Sequence, residues 1–291
     1  MNIVLAGDVG PEVGLGHRRR LEAIGTALTD LGYPWDFVAI SDPDDGDVWG
    51  QDLAVVDSYI TRADRQALYE ANVIVAIDEL GRNLGVDLVI DPTPRATPPG
   101  SSRAKRTLAG TDFVLVDPRL RALDPRPEQA VERILVTLGA SPAAGHVREV
   151  AVSLAAAHPD LDVRVALGPW FDPAGMDGVE IVDAPDGLAE ALAAADLVVT
   201  AGGVTMLEAC VLGRPTIVLP IAPNQQRAVD ALGGLGAVVV ARAETVVDTV
   251  GRLIEDDAER TALGCRARAS VDGRGAERAA AAIVELLGQR S

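Results

Sequence analysis

Short apolar runs recur along the whole chain, and mixed segments of helical length separate them. The runs are rich in Val, Ile and Leu and are continuously apolar, which is typical of parallel strands buried on both faces of a sheet. In the first half we expect strands at Ile3–Ala6, Phe37–Ile40, Leu53–Val56, Val73–Ile77, Leu88–Ile90 and Phe113–Val116. In the second half we expect them at Ile134–Leu138, Val163–Leu167, Val179–Val182, Leu197–Thr200, Thr216–Leu219 and Ala237–Val240.

This alternation predicts an α/β protein with two Rossmann-like domains whose parallel sheets face a central cleft. The segment Asp117–Pro127 contains three prolines and several charges, as expected of a linker. We therefore predict a first domain at residues 1–120 and a second at 131–274. Residues 275–291 should form an amphipathic helix that packs back on the first domain. Ligands should bind at the carboxyl ends of the strands.

Composition narrows the function classes. Aromatic residues make up 3% of the chain, so Ala, Val, Leu and Ile must fill the cores, and a net charge of −17 argues against a nucleic-acid partner. No run is long enough to span a membrane, and the chain starts with a strand rather than a leader, so we expect a cytoplasmic protein.

Cys210 and Cys265 suggest small buried thiols. The acidic run Asp42–Asp47 lacks the spacing of a calcium loop, and we expect no metal.

The first candidate site is Gly14-Leu15-Gly16-His17, where the first strand hands over to a helix. The two glycines allow a tight turn and a close approach to a ligand. A helix N-terminus disfavours protonated imidazole, so His17 suits a general base, although a lone histidine is often only a cap. The following Arg18–Arg20 lie at the wrong end of a helix for positive charge. They indicate an anionic ligand or partner carboxylates nearby, or simply solvated arginines; Arg20 is our candidate for substrate binding.

Acidic residues follow neighbouring strands at the same predicted sheet edge. Asp57 and Tyr59 follow the third strand, Asp78 and Glu79 follow the fourth, and Asp8 lies in the first loop. The carboxylates are suited to orient His17 or to bind sugar hydroxyls. Helix capping, a routine role of Asp, is the alternative for each.

The second candidate site lies in the other half, where a diglycine precedes a helix. Free backbone N–H groups at Gly202, Gly203, Val204 and Thr205 would bind a diphosphate. Glu208 lies about 7 Å further along the helix axis, where its carboxylate can accept hydrogen bonds from both hydroxyls of a ribose.

Further polar and glycine residues end neighbouring strands of the second sheet. Asn224 and Gln225 follow the strand at Thr216–Leu219, and their amides can donate to a sugar or phosphate oxygen. Capping of the next helix is the alternative for Asn224. Gly139 and Gly168 lie in strand-end turns that could border the diphosphate and the base.

These motifs together resemble a known family. The chain looks like the UDP-2,4-diacetamido-2,4,6-trideoxy-β-L-altropyranose hydrolases of pseudaminic acid biosynthesis and the related spore-coat polysaccharide proteins. It is similar in turn to the glycosyltransferase that builds the lipid II disaccharide, which has the GT-B fold. The resemblance spans nearly the whole chain. It rests on Gly14–His17, Val56–Tyr59, Ile77–Glu79, Gly202-Gly203, Glu208-Ala209, Gly213–Pro215 and Asn224-Gln225.

The resemblance implies a metal-independent, cofactor-free hydrolysis of a UDP-sugar in amino-sugar or surface-polysaccharide biosynthesis. Water attacks the anomeric carbon, UDP leaves, and the configuration inverts. The roles it implies are activation of water by His17, lining of the sugar and diphosphate by Tyr59, Asn224 and Gln225, and binding of the nucleotide by Gly202, Gly203 and Glu208.

Two turns depart from the family pattern. Gly139–Pro142 lacks the family's carboxylate, and Asp91–Arg95 stands where asparagines are usual. The alternative function is therefore a GT-B glycosyltransferase in which His17 deprotonates a soluble small-molecule acceptor. A third reading is a nucleotide-sugar-binding protein without catalysis. As partners we expect a nucleotide-sugar, most simply a UDP-sugar, and no nucleic acid or membrane. We expect a monomer or homodimer.

Overall fold

The chain divides into two structural units. The computed structural model describes residues 1–40, 51–59, 71–94, 104–125, 130–139, 146–184 and 186–289. One unit comprises Met1–Pro118 together with Gly273–Ser291, and the other comprises Arg119–Asp272. The first division falls inside the predicted linker, and the second falls two residues before the predicted limit at 274. No helix in the described ranges is long and apolar enough to cross a bilayer.

The first unit contains a six-stranded sheet in which all neighbouring strands are parallel, in the order β2-β1-β3-β4-β5-β6. Every residue of the central strands β1 and β3 is buried, as the continuous apolar runs predict. The strands are β1 (Ile3–Gly7), β2 (Asp36–Ala39), β3 (Leu53–Asp57), β4 (Val73–Ile77), β5 (Leu88–Asp91) and β6 (Arg106–Ala109).

The sixth strand of this sheet is not the predicted one. Phe113–Val116 was expected to be a strand, but Thr111–Phe113 form a 3-10 turn and the buried Val114–Val116 lie outside the sheet. Val114 instead packs its backbone against Gly275, where a Cβ would collide with the Val114 carbonyl oxygen. The true edge strand, β6, begins with Arg and Thr and is partly exposed, so it carries no apolar run.

Two helices cover the first sheet from distant parts of the sequence. These are α1 (Gly16–Asp30) and α8 (Gly275–Gly288). Both contribute to one core, in which Leu21 and Ile24 of α1 and Ile283 of α8 are fully buried with the strand residues. The C-terminal helix therefore belongs to the first unit.

The second unit contains another parallel six-stranded sheet, in the order β12-β11-β10-β7-β8-β9. Its strands are β7 (Arg133–Thr137), β8 (Asp162–Ala166), β9 (Glu180–Val182), β10 (Leu197–Thr200), β11 (Thr216–Val218) and β12 (Val239–Val240). Its helices are α2 (His146–Ala157), α3 (Ala189–Ala194), α4 (Val204–Val211), α5 (Gln226–Gly234), α6 (Val246–Glu255) and α7 (Asp257–Ser270). A core made mainly of Val, Leu and Ile joins this sheet to α2, α6 and α7.

Each sheet has a point where the strand order reverses. In the first sheet, β1 lies between β2 and β3, and in the second, β7 lies between β8 and β10. Open α/β sheets bind ligands outside the carboxyl ends of the strands at such switch points. In the first unit these ends are Gly7 and Asp57, and in the second they are Thr137 and Thr200. Both candidate sites of the sequence analysis follow these strands.

Candidate functional site

His17 lies in the first turn of α1 and is 2% exposed. The preceding loop closes on itself, because the Gly14 N–H donates to the Gly10 carbonyl over 2.7 Å. Gly14 has a φ of +75°, a conformation that favours glycine. The loop glycines thus shape the entry to α1. Gly16, the first residue of the helix, has open space where a side chain would stand.

The His17 ring is oriented by Asp57, the last residue of β3. His17 Nδ1 lies 2.6 Å from Asp57 Oδ1, with both side chains buried. Burial opposes ionisation of Asp57, but the charges of Arg20 and His17 and their hydrogen bonds outweigh it, so the pKa of Asp57 is lowered. An ionised carboxylate accepts hydrogen bonds, so Nδ1 carries the proton. The neutral ring then has its lone pair on Nε2.

Arg20 fixes the other side of this carboxylate. Its Nε and Nη2 donate to the two oxygens of Asp57 over 2.7 and 2.9 Å, a bidentate pair. Its Nη1 donates to Glu79 Oε2 over 2.9 Å. Burial alone would lower the pKa of Arg20, but the carboxylates of Asp57 and Glu79 raise it well above its usual value.

Tyr59 completes the arrangement. Its hydroxyl donates to Glu79 Oε1, and its ring stands edge-on to the His17 ring, with centroids 4.3 Å apart. Its backbone N–H donates to Asp8 Oδ2 over 2.8 Å. We call His17, Arg20, Asp57, Tyr59 and Glu79 the first-unit cluster.

The three consecutive arginines all have carboxylate partners. Of the alternatives raised by their position, the structure therefore shows partner carboxylates. Arg18 and Arg19 both bind Glu22, over 2.7 and 3.1 Å, while Arg20 binds the cluster carboxylates. Their clustering at a helix N-terminus therefore needs no anionic ligand. Arg20 is held by Asp57 and Glu79, and its role in substrate binding stays a prediction.

Asp78 does not join the first-unit cluster. Its carboxylate accepts hydrogen bonds from the Arg82 N–H over 2.6 Å and from Arg82 Nε over 2.7 Å. It therefore holds the turn after β4. Asp91, at the end of β5, is also buried and accepts from the Thr93 N–H over 3.0 Å. Arg95, at the other end of that unusual segment, lies outside the described residues.

The second candidate site lies where β10 leads into α4. Gly203 precedes the helix, and Met206, Leu207 and the residues from Ala209 to Val211 are buried against the unit. Val204, Thr205 and Glu208 are the half-buried residues of α4. They occupy one helix face because three- and four-residue spacings align. The first-turn N–H groups beside this face are the donors that the sequence predicts to bind an anion, and that role stays a prediction.

Gln225 has a contact that sequence reasoning missed. Its Oε1 accepts from the Gly202 N–H over 3.2 Å and from the Ile221 N–H over 3.0 Å. The side chain thus ties together the loops that follow β10 and β11. The Gly202 N–H, predicted to bind the diphosphate, is already bonded. Gly203 remains the first N–H of the site, and no sequence signal distinguishes these two glycines.

The diglycine itself is asymmetric. A Cβ at Gly202 would collide with Val229 and would lie 2.9 Å from Gln225 Cβ, whereas a Cβ at Gly203 would meet nothing within 4 Å. The first glycine is therefore required by packing, and the second leaves open space. Asn224 is exposed in the 3-10 turn Pro223–Gln225, and α5 has no side-chain cap.

The predicted border glycines lie in turns at the same sheet edge. Gly139 follows β7 with a φ of +96°, and the Gly168 carbonyl after β8 accepts from the Phe171 N–H over 3.1 Å. Residues 140–142, which complete the unusual turn, and the acidic run Asp42–Asp47 lie outside the described residues.

The cysteines differ from each other. Cys210 is buried as expected, and burial raises the pKa of its thiol to about 12. Cys265 was expected to be buried but is exposed, because it lies on the solvent face of α7. Within the described ranges, no group of three or more His, Cys, Asp or Glu side chains is arranged to hold a metal ion.

Comparison with known proteins gives a partial match in sequence. No family model matches the chain. A curated relative, the UDP-N-acetylglucosamine–N-acetylmuramyl-(pentapeptide) pyrophosphoryl-undecaprenol N-acetylglucosamine transferase of Sorangium cellulosum (strain So ce56), is 33% identical over 136 residues. The match covers 43% of this chain and 34% of that relative, about a third of its length.

Solved structures match over almost the whole chain. MurG of Acinetobacter baumannii has a TM-score of 0.61 at 13% identity, covering 98% of this chain and 99% of that one. The glycosyltransferase SsfS6 of Streptomyces sp. SF2575, complexed with thymidine diphosphate, has a TM-score of 0.60 at 14% identity, covering 99% of each chain. With the two parallel six-stranded sheets, these similarities show the GT-B fold.

Proposed function

We propose that this protein is an inverting glycosyltransferase that uses a nucleotide-diphosphate sugar and a hydroxyl-bearing acceptor. The observation that carries the proposal is the buried bond of 2.6 Å between His17 Nδ1 and Asp57 Oδ1. This bond fixes the tautomer whose Nε2 accepts a proton, which is the arrangement of a histidine general base supported by a carboxylate.

The charges of the first-unit cluster favour this role. Two carboxylates, Asp57 and Glu79, face one guanidinium, that of Arg20, so these three groups carry one net negative charge. A proton on His17 would neutralise it. As His17 Nε2 takes the acceptor's proton, the imidazolium forms beside a carboxylate that is already oriented toward it. The acceptor oxygen then attacks the anomeric carbon, and the nucleotide diphosphate leaves from the opposite face.

The second unit would hold the leaving group. The N–H groups of Gly203, Val204 and Thr205 at the start of α4 favour the growing negative charge of the diphosphate. Glu208, on the same helix face, would bind the ribose hydroxyls, and the exposed Asn224 would donate to a phosphate or sugar oxygen. Because a nucleoside diphosphate leaves readily, the mechanism requires no strong general acid.

We place transfer ahead of the predicted hydrolysis because the partial sequence relative and the structural neighbour SsfS6 are named as transferases. The same base would activate water in a hydrolase, so the first-unit cluster serves either reaction. UDP is the nucleotide in the name of the Sorangium relative, and we propose a UDP-sugar as donor.

The test is to incubate the purified protein with UDP-, dTDP-, GDP- and CDP-sugars, with and without a panel of soluble hydroxyl acceptors. Nucleotide release that requires an acceptor and yields a glycosylated product is expected. Acceptor-independent release with a free reducing sugar would instead establish hydrolysis. Donors that survive every acceptor, in a protein that still binds UDP, would contradict both.

A further inference from the structure

The contacts of the first-unit cluster form a closed cycle. His17 Nδ1 bonds to Asp57, Asp57 to Arg20, Arg20 to Glu79, and Glu79 to the Tyr59 hydroxyl. The Tyr59 ring returns to the His17 ring at 4.3 Å. Each side chain of the cluster therefore contacts two others. The five residues come from three separate segments of the chain.

We propose that Arg20 and Glu79 are positioning residues that tune, with opposite signs, how readily His17 holds a proton, and that Tyr59 fixes its ring plane. This inference rests on the proposed function, in which His17 is the base. Neither Arg20 nor Glu79 contacts the reacting atoms in this scheme. Arg20 acts on His17 directly and through Asp57, and Glu79 acts through Arg20 and Tyr59.

Within the described residues, the charged and titratable groups of the cluster around His17 come from four elements or their ends. Asp57 comes from β3, Arg20 from α1 itself, Glu79 from the end of β4, and the hydroxyl of Tyr59 from the segment after β3. Asp8, after β1, reaches the cluster through the Tyr59 N–H. The other charges of the first turns of α1 are exposed or half-buried and pair with one another through Glu22.

The signs follow from Coulomb's law. Arg20 Nη2 lies 3.1 Å from His17 Nδ1, so the positive charge of the guanidinium disfavours a positive charge on the imidazole ring. Glu79 binds the same guanidinium over 2.9 Å and offsets that charge. Glu79→Gln should therefore make His17 lose its proton at a lower pH. Arg20→Gln should make it lose the proton at a higher pH, each by about one pH unit.

The experiment reads His17 directly by ¹⁵N NMR of the imidazole nitrogens through a pH titration. The chain has three histidines, so His146→Gln and His158→Gln variants assign the signals. Glu79→Gln should shift the His17 midpoint down and Arg20→Gln should shift it up. Arg20→Lys, which keeps the charge, should restore most of the wild-type midpoint. Arg18→Gln is the matched control, because Arg18 is an exposed neighbour paired with Glu22, and it should shift nothing.

Kinetics supply the second readout. The acid limb of the kcat/KM profile should move with the NMR midpoint, down for Glu79→Gln and up for Arg20→Gln, while KM for the donor stays unchanged. Tyr59→Phe, which keeps the ring and loses the bond to Glu79, should lower kcat with a small shift of the midpoint.

Shifts of the same sign in the two charge variants, or no shift in either, would overturn the inference. If Arg20→Gln fails to fold, Glu79→Gln and Arg20→Lys still decide. The NMR result needs no turnover, so it stands or falls separately from the proposed reaction. That reaction fails instead if His17→Ala retains full turnover.

Discussion

The two candidate sites are built from different materials. In the first unit the site consists of side chains, and His17, Arg20 and Asp57 are each less than a tenth exposed and bonded to one another. In the second unit it consists mainly of backbone, namely the N–H groups at the start of α4 and two glycines. Both follow strands at the switch points of similar parallel sheets.

In the proposed function, the two sites have different chemical tasks. Moving a proton needs one defined tautomer and a matched set of charges, which a buried side-chain network provides. Holding a diphosphate needs several N–H donors and room for a bulky anion, which a helix start and small residues provide. The first site therefore depends on which side chains are present, and the second on where side chains are absent.

The largest effect that would sharpen this contrast is expected for His17→Ala. Loss of the general base should lower kcat by about 10²- to 10⁴-fold. The Kd for UDP, measured by calorimetry, should stay unchanged because the proposed nucleotide residues lie in the second unit. His146→Ala, which removes an exposed histidine paired only with Glu149 within the described residues, is the control and should change neither value. A parallel loss of UDP affinity in His17→Ala would break the separation of tasks.

The next largest effect is expected for the diglycine. Gly202→Ala forces a Cβ into Val229 and Gln225, so we expect about 1–3 kcal/mol of lost stability and weaker UDP binding. Gly203→Ala introduces the same methyl group into open space and should change the stability by less than about 0.5 kcal/mol. The free energy of unfolding of both variants, measured by chemical denaturation, tests this difference. Equal losses of stability would contradict the asymmetry of the two glycines.

Much of the fold could be predicted from the sequence, because buried parallel strands are uniformly apolar. Eleven of the twelve predicted strands are present within a residue or two of the expected limits, among them β1, β3 and β10. The exception is instructive. Val114–Val116 are as apolar as a strand and are buried outside the sheet, with Val114 against Gly275 of α8, whereas β6 is a polar edge strand. Apolar character reports burial, and strand pairing is a separate property.

The candidate sites were predictable only in part. The locations of His17 and Gly203 follow from a local pattern, a strand that leads into a helix through glycines. The partners do not, because Glu79 reaches Arg20 and Tyr59 only after the sheet has formed. Asp78 and Glu79 are adjacent and equally acidic, yet one holds a turn and the other joins the cluster. Side-chain direction at a strand end decides between them, and the sequence does not encode it visibly.

A smaller effect is expected for Gln225, whose side chain bonds to the backbone of the second candidate site. Gln225→Ala removes the acceptor shared by the Gly202 and Ile221 N–H groups, and we expect a loss of about 1–2 kcal/mol in the free energy of unfolding. Gln225→Glu keeps an acceptor oxygen and should recover part of that loss. Gln226→Ala, which removes an exposed pair with Asp230, is the control and should cost about 0.2–0.5 kcal/mol. If Gln225→Ala is as mild as Gln226→Ala, the loop bridge has no energetic role.

The smallest effect concerns a carboxylate of the second unit that resembles Asp57 in its partners but not in its burial. Asp162 accepts from Arg133 Nε and Arg164 Nε, each over 2.8 Å, and its side chain is 32% exposed. Partial burial opposes ionisation, but the hydrogen bonds and charges of the two arginines outweigh it and lower the pKa of Asp162.

A carboxylate whose pKa is lower in the folded than in the unfolded state stabilises the fold above its ordinary pKa of about 4. That contribution is lost as the pH falls through the folded value. Solvent screens an exposed pair, so Asp162→Asn should cost only about 0.2–1 kcal/mol at pH 7. The difference from wild type, measured by urea unfolding, should shrink in 1 M NaCl and vanish toward pH 2. A larger, salt-insensitive loss would mean that Asp162 is held as tightly as the carboxylate beside His17, and the contrast between the buried Asp57 and the partly exposed Asp162 would no longer hold.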